Sequence, residues 1–174
     1  MQKTSIVWPK CWLERFPITA AGCFALMLLL FCSSLSADAV AAPDPAMKRY
    51  VAKYHGLAEK KSAKYSIPAD IILAVAIVES GSGKTRIARD FHNHFGLVGK
   101  NHLKRKTRYK SYPTVESSYD HFCRYLAKQR FYRKLSKGAD KRAWVKAISR
   151  IGYSERPKIW EKRVLLILKE IRGL

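Results

Sequence analysis

The stretch that decides the fold is residues 66–85, Ser-Ile-Pro-Ala-Asp-Ile-Ile-Leu-Ala-Val-Ala-Ile-Val-Glu-Ser-Gly-Ser-Gly-Lys-Thr. Residues 68–80 are apolar on almost every face, which predicts the central buried helix of a domain. We expect Ser66 to cap the start of this helix and Pro68 to occupy its first turn. The glycines that follow it predict an abrupt helix end.

The end of this helix supports two different interpretations. Its glycines, followed by Lys84 and Thr85, look like the phosphate-binding loop of a nucleotide hydrolase. Its acid, Glu79, stands just before the turn made by Gly81 and Gly83. Desolvation at the end of an apolar helix disfavours a charged carboxylate, so Glu79 is predicted to stay protonated and to donate a proton to a glycosidic oxygen. Taken alone, Glu79 could also be a solvated helix end.

The beginning of the chain has the order of a secretory signal peptide. Basic residues precede an uncharged apolar run of 14 residues, 18–31, and small residues with Ala37-Asp38-Ala39 follow it. This run is short against the roughly 20 residues that span a bilayer, which favours cleavage over a membrane anchor. We therefore expect a signal peptide at 1–39, a short linker at 40–46 and one folded domain at 47–174. The mature protein is then expected in the periplasm, in the cell envelope or outside the cell, without a stable membrane anchor.

The phosphate-loop interpretation meets three objections. The motif needs a glycine where Val78 stands, and a β-branched residue is a poor replacement in that turn. The nucleotide-binding fold also needs further buried parallel strands, whereas the downstream sequence is helical or amphipathic. An exported protein, finally, has little access to ATP. Lys84 and Thr85 are instead predicted to begin the next short helix.

The composition is strongly basic, with 34 lysines and arginines against 13 acids and a net charge of +21. Such a chain is drawn to polyanions, either nucleic acid or an envelope polymer that carries carboxylates or phosphates. The export signal favours the envelope polymer, so we expect no nucleic acid as partner. A non-catalytic basic module that binds wall polymer or nucleic acid remains the alternative function.

The rest of the chain predicts a mostly helical domain. A first amphipathic helix follows from apolar residues at steps of three and four: Met47, Tyr50, Val51, Tyr54, Leu57 and Ala58. Thr114 and Asp140 are expected caps of later helices, and Pro157 the start of the last one. Residues 95–99 and 107–112 predict two short strands joined by a basic loop. The fold class is therefore α+β, mostly α, with a small β-hairpin lobe.

One cysteine and two histidines invite further interpretations. Cys123 is the one cysteine outside the predicted signal, and it shares a helical stripe with apolar residues, which predicts packing and neither a disulfide nor a zinc site. His92-Asn93-His94 resembles a set of metal ligands, but no matching group of acids or cysteines accompanies it. We expect a turn with Asn93 in a strained or hydrogen-bonded conformation and His94 partly exposed, and neither a metal nor a cofactor.

Four segments carry a family resemblance: residues 74–85 with Glu-Ser-Gly-Ser-Gly, 93–97 with Asn-His-Phe-Gly, 112–119, and Gly152-Tyr153-Ser154 with Pro157. In this order and spacing, from about Tyr50 to Ile171, they resemble the bacterial glucosaminidase domains of glycoside hydrolase family 73. These are peptidoglycan hydrolases found in autolysins and in flagellar rod-associated proteins.

The resemblance implies a lysozyme-like fold and an endo-β-N-acetylglucosaminidase, rather than a muramidase, that acts on the β-1,4 bonds of peptidoglycan. It implies that Glu79 is the general acid and that Tyr153 borders the cleft and contributes to catalysis. Asn93, Phe95 and Gly96 correspond to the turn that leads into the β-lobe and are expected to bind substrate. We expect the protein to act as a monomer.

The chain departs from the family pattern most clearly in its second carboxylate. The β-lobe of the family usually offers one, but residues 95–113 contain none and are rich in lysine and arginine. Glu116 and Asp120 are the nearest acids and the candidates for this role. Glu116 also fits a helix first turn for structural reasons alone, and Asp120 could orient backbone or Tyr153. The 2-acetamido group of the substrate could otherwise assist the reaction itself.

The basic loop is either a solvated rim or part of the binding surface. In the second case its cations hold the carboxylates of peptide stems or anionic wall polymers. Tyr109 and Tyr112 are then expected to provide stacking faces for sugars or, if the module binds nucleic acid, for bases.

Overall fold

The computed structural model describes residues 44–101 and 107–174. These residues form seven helices: α1 Pro45–Tyr65, α2 Ala69–Ser80, α3 Arg86–Phe91, α4 Val115–Ala127, α5 Tyr132–Leu135, α6 Lys141–Arg150 and α7 Pro157–Ile171. The predicted signal peptide lies outside the described residues. No helix in the described part of the chain has the length and apolarity needed to cross a bilayer.

The second helix, α2, is the centre of the domain, as its sequence predicts. Residues 71–76 are 0% exposed, and α2 packs against both α1 and α7. Helix α1 also packs against α4, and α6 against α7. Because α2 is covered on all sides, its sequence needs no polar face.

The start of α2 differs from the prediction. Ser66 has φ 50° and ψ 33° and ends α1, with its N–H donating to the Ser62 carbonyl. Pro68 is the N-cap of α2, and no side chain caps that helix. The predicted serine cap is therefore wrong. Residues 66–68 alone connect two helices that pack against each other, and fully buried Ile67 leaves Ser66 to make the sharp reversal at the end of α1.

The other predicted helix boundaries are confirmed. Helices α3, α4 and α6 each begin with a side chain that accepts a hydrogen bond from the backbone N–H three residues further on. These caps are Thr85, Thr114 and Asp140, respectively. Pro157 begins α7. Cys123, on α4, is 0% exposed and is a packing residue as predicted.

The two predicted strands meet in a single isolated antiparallel bridge between Val98 and Tyr109. The Gly99 N–H donates to the Arg108 carbonyl at 3.0 Å, and the Lys110 N–H donates to the Leu97 carbonyl at 2.9 Å. No longer ladder forms among the described residues, and the paired part of the segment lies at the surface, with Val98 61% exposed. A pairing this short is only marginally stable by itself. The pairing nonetheless holds residues 96–98 beside residues 108–109.

Candidate active site

Glu79 is the next-to-last residue of α2, and the turn after the helix determines where it points. Gly81, Ser82 and Gly83 have φ values of 56°, 57° and 78°, all in the left-handed region that favours glycine. The Gly81 N–H donates to the Ile77 carbonyl and closes the helix. The helix therefore stops one residue after Glu79, and the Glu79 side chain faces a cleft instead of another helix turn.

The cleft beside Glu79 has a volume of about 800 Å³. Its walls are the start of α3, the paired segments at 96–98 and 108–109, and the loop 152–156 with the first turns of α7. This volume lies within the range of sites that enclose a small ligand or a few sugar units.

A side chain of α7 holds the Glu79 carboxyl by a hydrogen bond. The Trp160 indole Nε1–H donates to Glu79 Oε1 at 2.6 Å, although the two residues are 81 positions apart. Burial raises the pKa of Glu79, while this hydrogen bond and the positive charge of Arg163 lower it in part, and the net pKa is raised. The site therefore favours a protonated Glu79 more than water does.

The second carboxyl oxygen of Glu79 lies next to Gly96. A Cβ added at Gly96 would lie 3.5 Å from Glu79 Oε2 and 4.0 Å from the Tyr109 ring. Gly96 also has φ 63°, which L-residues rarely adopt. The missing side chain leaves Oε2 open to the cleft, and Gly96 lines that cleft.

Tyr153 lies in the same cleft and joins two of its walls. Its hydroxyl donates to the Phe95 carbonyl at 2.7 Å, and its ring centroid is 5.6 Å from that of Trp160. Burial, and next the negative charge of Glu79, raise the pKa of Tyr153 well above its usual value. The hydroxyl therefore stays protonated at neutral pH and acts as a donor.

Asn93 is buried, 1% exposed, and organises the turn instead of facing the cleft. Its Nδ2 donates to the carbonyls of Leu97 at 2.8 Å and Lys110 at 2.9 Å. Its Oδ1 accepts from the N–H groups of Phe95 at 3.3 Å and Leu97 at 3.1 Å. One side chain thus satisfies four backbone groups, so the hydrogen-bonded turn predicted for Asn93 is confirmed.

Two of the predicted substrate-binding side chains point elsewhere. The Phe95 ring is 1% exposed and stacks on Phe122 with centroids 4.2 Å apart, so only its carbonyl serves the cleft. Tyr112 is 8% exposed, and its hydroxyl pairs with His121 Nδ1 at 2.6 Å. Both rings are apolar enough to fill the core, and the packing places them there.

Neither acid expected as a second carboxylate lines the cleft. Glu116 Oε1 accepts from Lys60 at 3.1 Å and Lys61 at 2.9 Å. Asp120 Oδ1 accepts from the Tyr65 hydroxyl at 2.9 Å and also bonds Lys61 and Lys64. The structure therefore places both acids in an ion-pair cluster between α1 and α4, away from the group they were expected to assist.

Several residues in the cleft were not singled out by the sequence. Trp160 and Arg163 lie one turn apart on α7, where the apolar stripe of that helix conceals the indole's role as a donor. Glu155 lines the cleft and lies 3.8 Å from Arg108 across it. It is the other carboxylate besides Glu79 among the described residues that line the cleft. The signal in the sequence that could have indicated Glu155 is its position two residues after Tyr153.

His94 is 3% exposed, so the prediction of a partly exposed side chain is wrong. Its ring is surrounded by the rings of Tyr50, Tyr54 and Tyr119. Within residues 44–101 and 107–174, no group of three or more histidines, cysteines and acids is arranged to hold a metal ion.

Comparison with known proteins identifies one family. Residues 55–173 match the glucosaminidase family, described as mannosyl-glycoprotein endo-beta-N-acetylglucosaminidase. A comparison with curated protein sequences gives no match.

Solved structures share the fold. The glycoside hydrolase domain of Salmonella typhimurium FlgJ matches with a TM-score of 0.59 at 19% identity, covering 73% of this chain and 89% of that one. The catalytic domain of the autolysin Auto from Listeria monocytogenes gives 0.61 at 14% identity, covering 78% and 89%. A peptidoglycan hydrolase from Sphingomonas sp. A1 gives 0.58 at 21%, covering 72% and 94%. The mostly helical, lysozyme-like fold implied by the resemblance is thus confirmed.

Proposed function

The chain belongs to the glucosaminidase family of glycoside hydrolases, and on this premise we propose that it is an exported peptidoglycan hydrolase. It cuts β-1,4 bonds of the glycan strand at N-acetylglucosamine, with residues 47–174 as the catalytic domain and residues 1–39 as the signal for export. The paired segments around Val98 and Tyr109 serve as its small β-hairpin lobe. Two of the structures with this fold are named as a peptidoglycan hydrolase and an autolysin, and the net charge of +21 suits a polymer that carries carboxylates.

The observation that carries the proposal is the Glu79 carboxyl at the cleft. Its raised pKa favours the protonated form, and because the Trp160 indole donates to Oε1, Oε2 beside Gly96 is the oxygen that delivers the proton to the glycosidic oxygen. A protonated carboxyl in this position is the general acid that glycoside hydrolysis requires.

Tyr153 is proposed to support the reaction as a positioning residue and cleft wall. Its hydroxyl bond to the Phe95 carbonyl keeps the segment that contains Gly96 against Glu79. Because its pKa is raised, Tyr153 does not act as a base. Asn93 holds the same segment through its four hydrogen bonds to backbone groups.

Glu155 is proposed as the second carboxylate in place of Glu116 and Asp120. Its side chain is 90% exposed and lines the cleft, where a carboxylate can take a proton from an attacking water. Arg108 lies 3.8 Å away across the cleft. The 2-acetamido group of the substrate is the competing route.

The first test is Glu79→Gln, which keeps the shape of the side chain and removes its acid. Release of reducing ends from purified peptidoglycan should fall by a factor on the order of 10²–10⁴, while binding to the polymer is retained. Glu59→Gln, at an exposed position on α1, is the matched control and should be fully active. A Glu79→Gln protein that cuts as fast as wild type would overturn the mechanism. Binding without any cutting by the wild type would favour the non-catalytic basic module instead.

The second test is Glu155→Gln. If Glu155 activates the water, the rate of reducing-end release should fall roughly 10²-fold or more, with folding unchanged because the side chain is exposed. Full activity of this variant would assign the role to the 2-acetamido group.

Mass analysis of the muropeptides, read at the new reducing end, identifies the sugar after which the strand is cut.

A further inference from the structure

A second concavity, with a volume of about 510 Å³, lies beside the first turns of α1. Helix α3 contributes Ala88 and Arg89 to it and Ile87 to the catalytic cleft, so this short helix separates the two spaces. We call this concavity the basic pocket; the residues that line it include Arg49, Lys53, Tyr54, Lys84, Arg89 and His94.

The basic pocket concentrates positive charge. Arg49, Lys53, Lys84 and Arg89 line it, and no aspartate or glutamate is among the described residues that do so. Asp44 approaches Lys84 at 3.7 Å, but both side chains are largely exposed, and an exposed pair of this kind contributes little. Cations around a concave surface with low-dielectric walls attract and retain an anion.

The floor of the basic pocket is a buried hydrogen-bond chain. Tyr50 is 4% and His94 3% exposed. The Tyr50 hydroxyl lies 2.6 Å from His94 Nδ1 and 2.8 Å from the Tyr119 hydroxyl. Because Tyr50 has one proton, the chain runs either from Tyr119 through Tyr50 to His94 Nδ1 or from His94 Nδ1–H through Tyr50 to Tyr119.

In either direction this chain occupies Nδ1 of His94. Burial, and next the charges of His92 and Lys53, lower the pKa of His94 to about 4, so the ring is neutral and carries one N–H. The pocket therefore has a neutral, hydrogen-bonded floor and mobile cations at its rim. An oxyanion can accept charge-assisted hydrogen bonds from these cations.

One wall of the basic pocket is aromatic. Tyr54 is half-buried, and its ring makes an edge contact with His94 at 5.2 Å between centroids. Lys53 Nζ lies 5.3 Å from the centre of the same ring. This wall can receive the apolar part of a ligand whose charged end meets the cations.

We propose that the basic pocket binds a carboxylate of the peptide stems that peptidoglycan carries, and so holds the polymer at a point separate from the catalytic cleft. The assignment rests on the proposed function only for the identity of the polymer. A concavity lined by four cations and no acid among the described residues suits a short carboxylate-bearing segment. Tyr50 is buried, which leaves Tyr54 as the tyrosine face open to a ligand. Single-stranded nucleic acid instead needs a groove with several successive stacking rings.

The experiment compares two full-length variants in a Glu79→Gln background, so that the polymer is not cut. The pocket variant carries Arg49→Gln and Lys53→Gln. The control variant carries Lys162→Gln and Lys169→Gln, two exposed lysines of α7 that lie outside the basic pocket. Both lose two positive charges, and all four positions are exposed, so both should fold. Circular dichroism and thermal melting check this.

Binding is measured by co-sedimentation with purified sacculi at several salt concentrations. One preparation is intact, and the other has had its stem peptides removed by an amidase. The pocket variant should bind intact sacculi roughly tenfold more weakly than the control variant, and the two variants should bind stripped sacculi equally. A DNA oligonucleotide serves as the third probe.

Three outcomes overturn the assignment. Equal losses for both variants on intact sacculi mean that only the overall charge matters. An equal pocket-variant loss on intact and stripped sacculi means that the pocket does not bind the stems. A loss confined to DNA assigns the pocket to nucleic acid. A wild-type protein that passes the binding test but releases no reducing ends overturns the proposed function and leaves the pocket assignment standing.

Discussion

At the scale of single residues, the state of Glu79 is set by opposing influences from different helices. Burial at the end of α2 raises its pKa, while the Trp160 hydrogen bond and the Arg163 charge, both from α7, lower it. The indole bond does more than the guanidinium because Trp160 is 4% exposed, whereas Arg163 is exposed to solvent. A general acid needs this compromise, since it has to hold its proton and still give it up.

Trp160→Phe keeps an aromatic ring and removes the N–H that stabilises the ionised carboxylate. The pKa of Glu79 should therefore rise, and since a general acid works when protonated, the alkaline limb of kcat/KM against pH should move to higher pH. Arg163→Gln should move it in the same direction by less, because its charge is the smaller influence. The measurement is initial reducing-end release across a pH series.

Trp144→Phe is the matched control for this series. The Trp144 Nε1 atom is buried without a hydrogen-bond partner among the described residues, so its removal should leave the pH profile in place. An alkaline limb that stays fixed, or moves to lower pH, in Trp160→Phe would contradict the role given to the indole.

At the scale of structural elements, the cleft wall depends on a turn that has little regular structure of its own. Residues 95–99 and 107–112 share one β-bridge, so the ladder contributes little stability. The Asn93 amide connects the start of this segment to its return at Lys110, and Tyr153 connects it to the loop before α7. The side chains of Asn93 and Tyr153 therefore hold this segment in place, because strand pairing alone does not.

Asn93→Ala should destabilise the protein by about 2–3 kcal/mol, because several buried backbone groups lose their partner at once. Activity should fall further than the loss of folded protein explains, since the wall that carries Gly96 is released. Urea unfolding and kcat/KM, measured below the unfolding transition, give the two quantities. Gln129→Ala, which removes one hydrogen bond to the Tyr125 carbonyl, is the control and should cost about 1 kcal/mol or less. Equal losses of stability and of kcat/KM in both variants would contradict the proposal that Asn93 holds the cleft wall.

At the scale of the whole molecule, α1 is tied to α4 by charge as well as by packing. Asp120 is 14% exposed in its side chain and meets Lys61 and Lys64 of α1. Burial alone would raise the pKa of Asp120, but the hydrogen bonds from Tyr65 and Lys64 and the charge of Arg124 outweigh it and lower the pKa to about 2. This cluster explains why the acid is ionised and yet takes no part in the cleft.

Asp120→Asn should reduce stability at neutral pH by about 1–2 kcal/mol, a value below the full linkage because Lys64 and Arg124 are exposed. A lowered folded-state pKa contributes stability above the unfolded value of 3.8 and loses it as pH falls towards about 2. The difference in the free energy of unfolding between variant and wild type should therefore be constant above about pH 5 and become small near pH 2. Thermal or urea unfolding at pH 7, 4 and 2 measures it. Glu59→Gln should show no such pH dependence, and a constant Asp120→Asn difference down to pH 2 would contradict the linkage.

Local patterns in the sequence determined much of the fold. The unbroken apolar run of α2, the glycine turn after it and the caps at Thr85, Thr114 and Asp140 act over a few residues, so their effect can be recognised without knowing what packs against them. Ser66 failed as a cap because the packing of α1 on α2 set the geometry of the short link. The family, and the place of Glu79 at a helix end, also followed from local motifs and their order.

Tertiary structure alone decided how the site is completed. Trp160 reaches Glu79 across 81 positions, Glu155 enters the cleft, and Asp120 and Glu116 turn towards the lysines of α1. Periodicity indicates which face of a helix is buried, but the partner of that face depends on how helices distant in sequence cross. The sequence by itself therefore determined that an apolar helix ends in one acid before a glycine turn, and the packing of α7 and α4 determined which groups surround that acid.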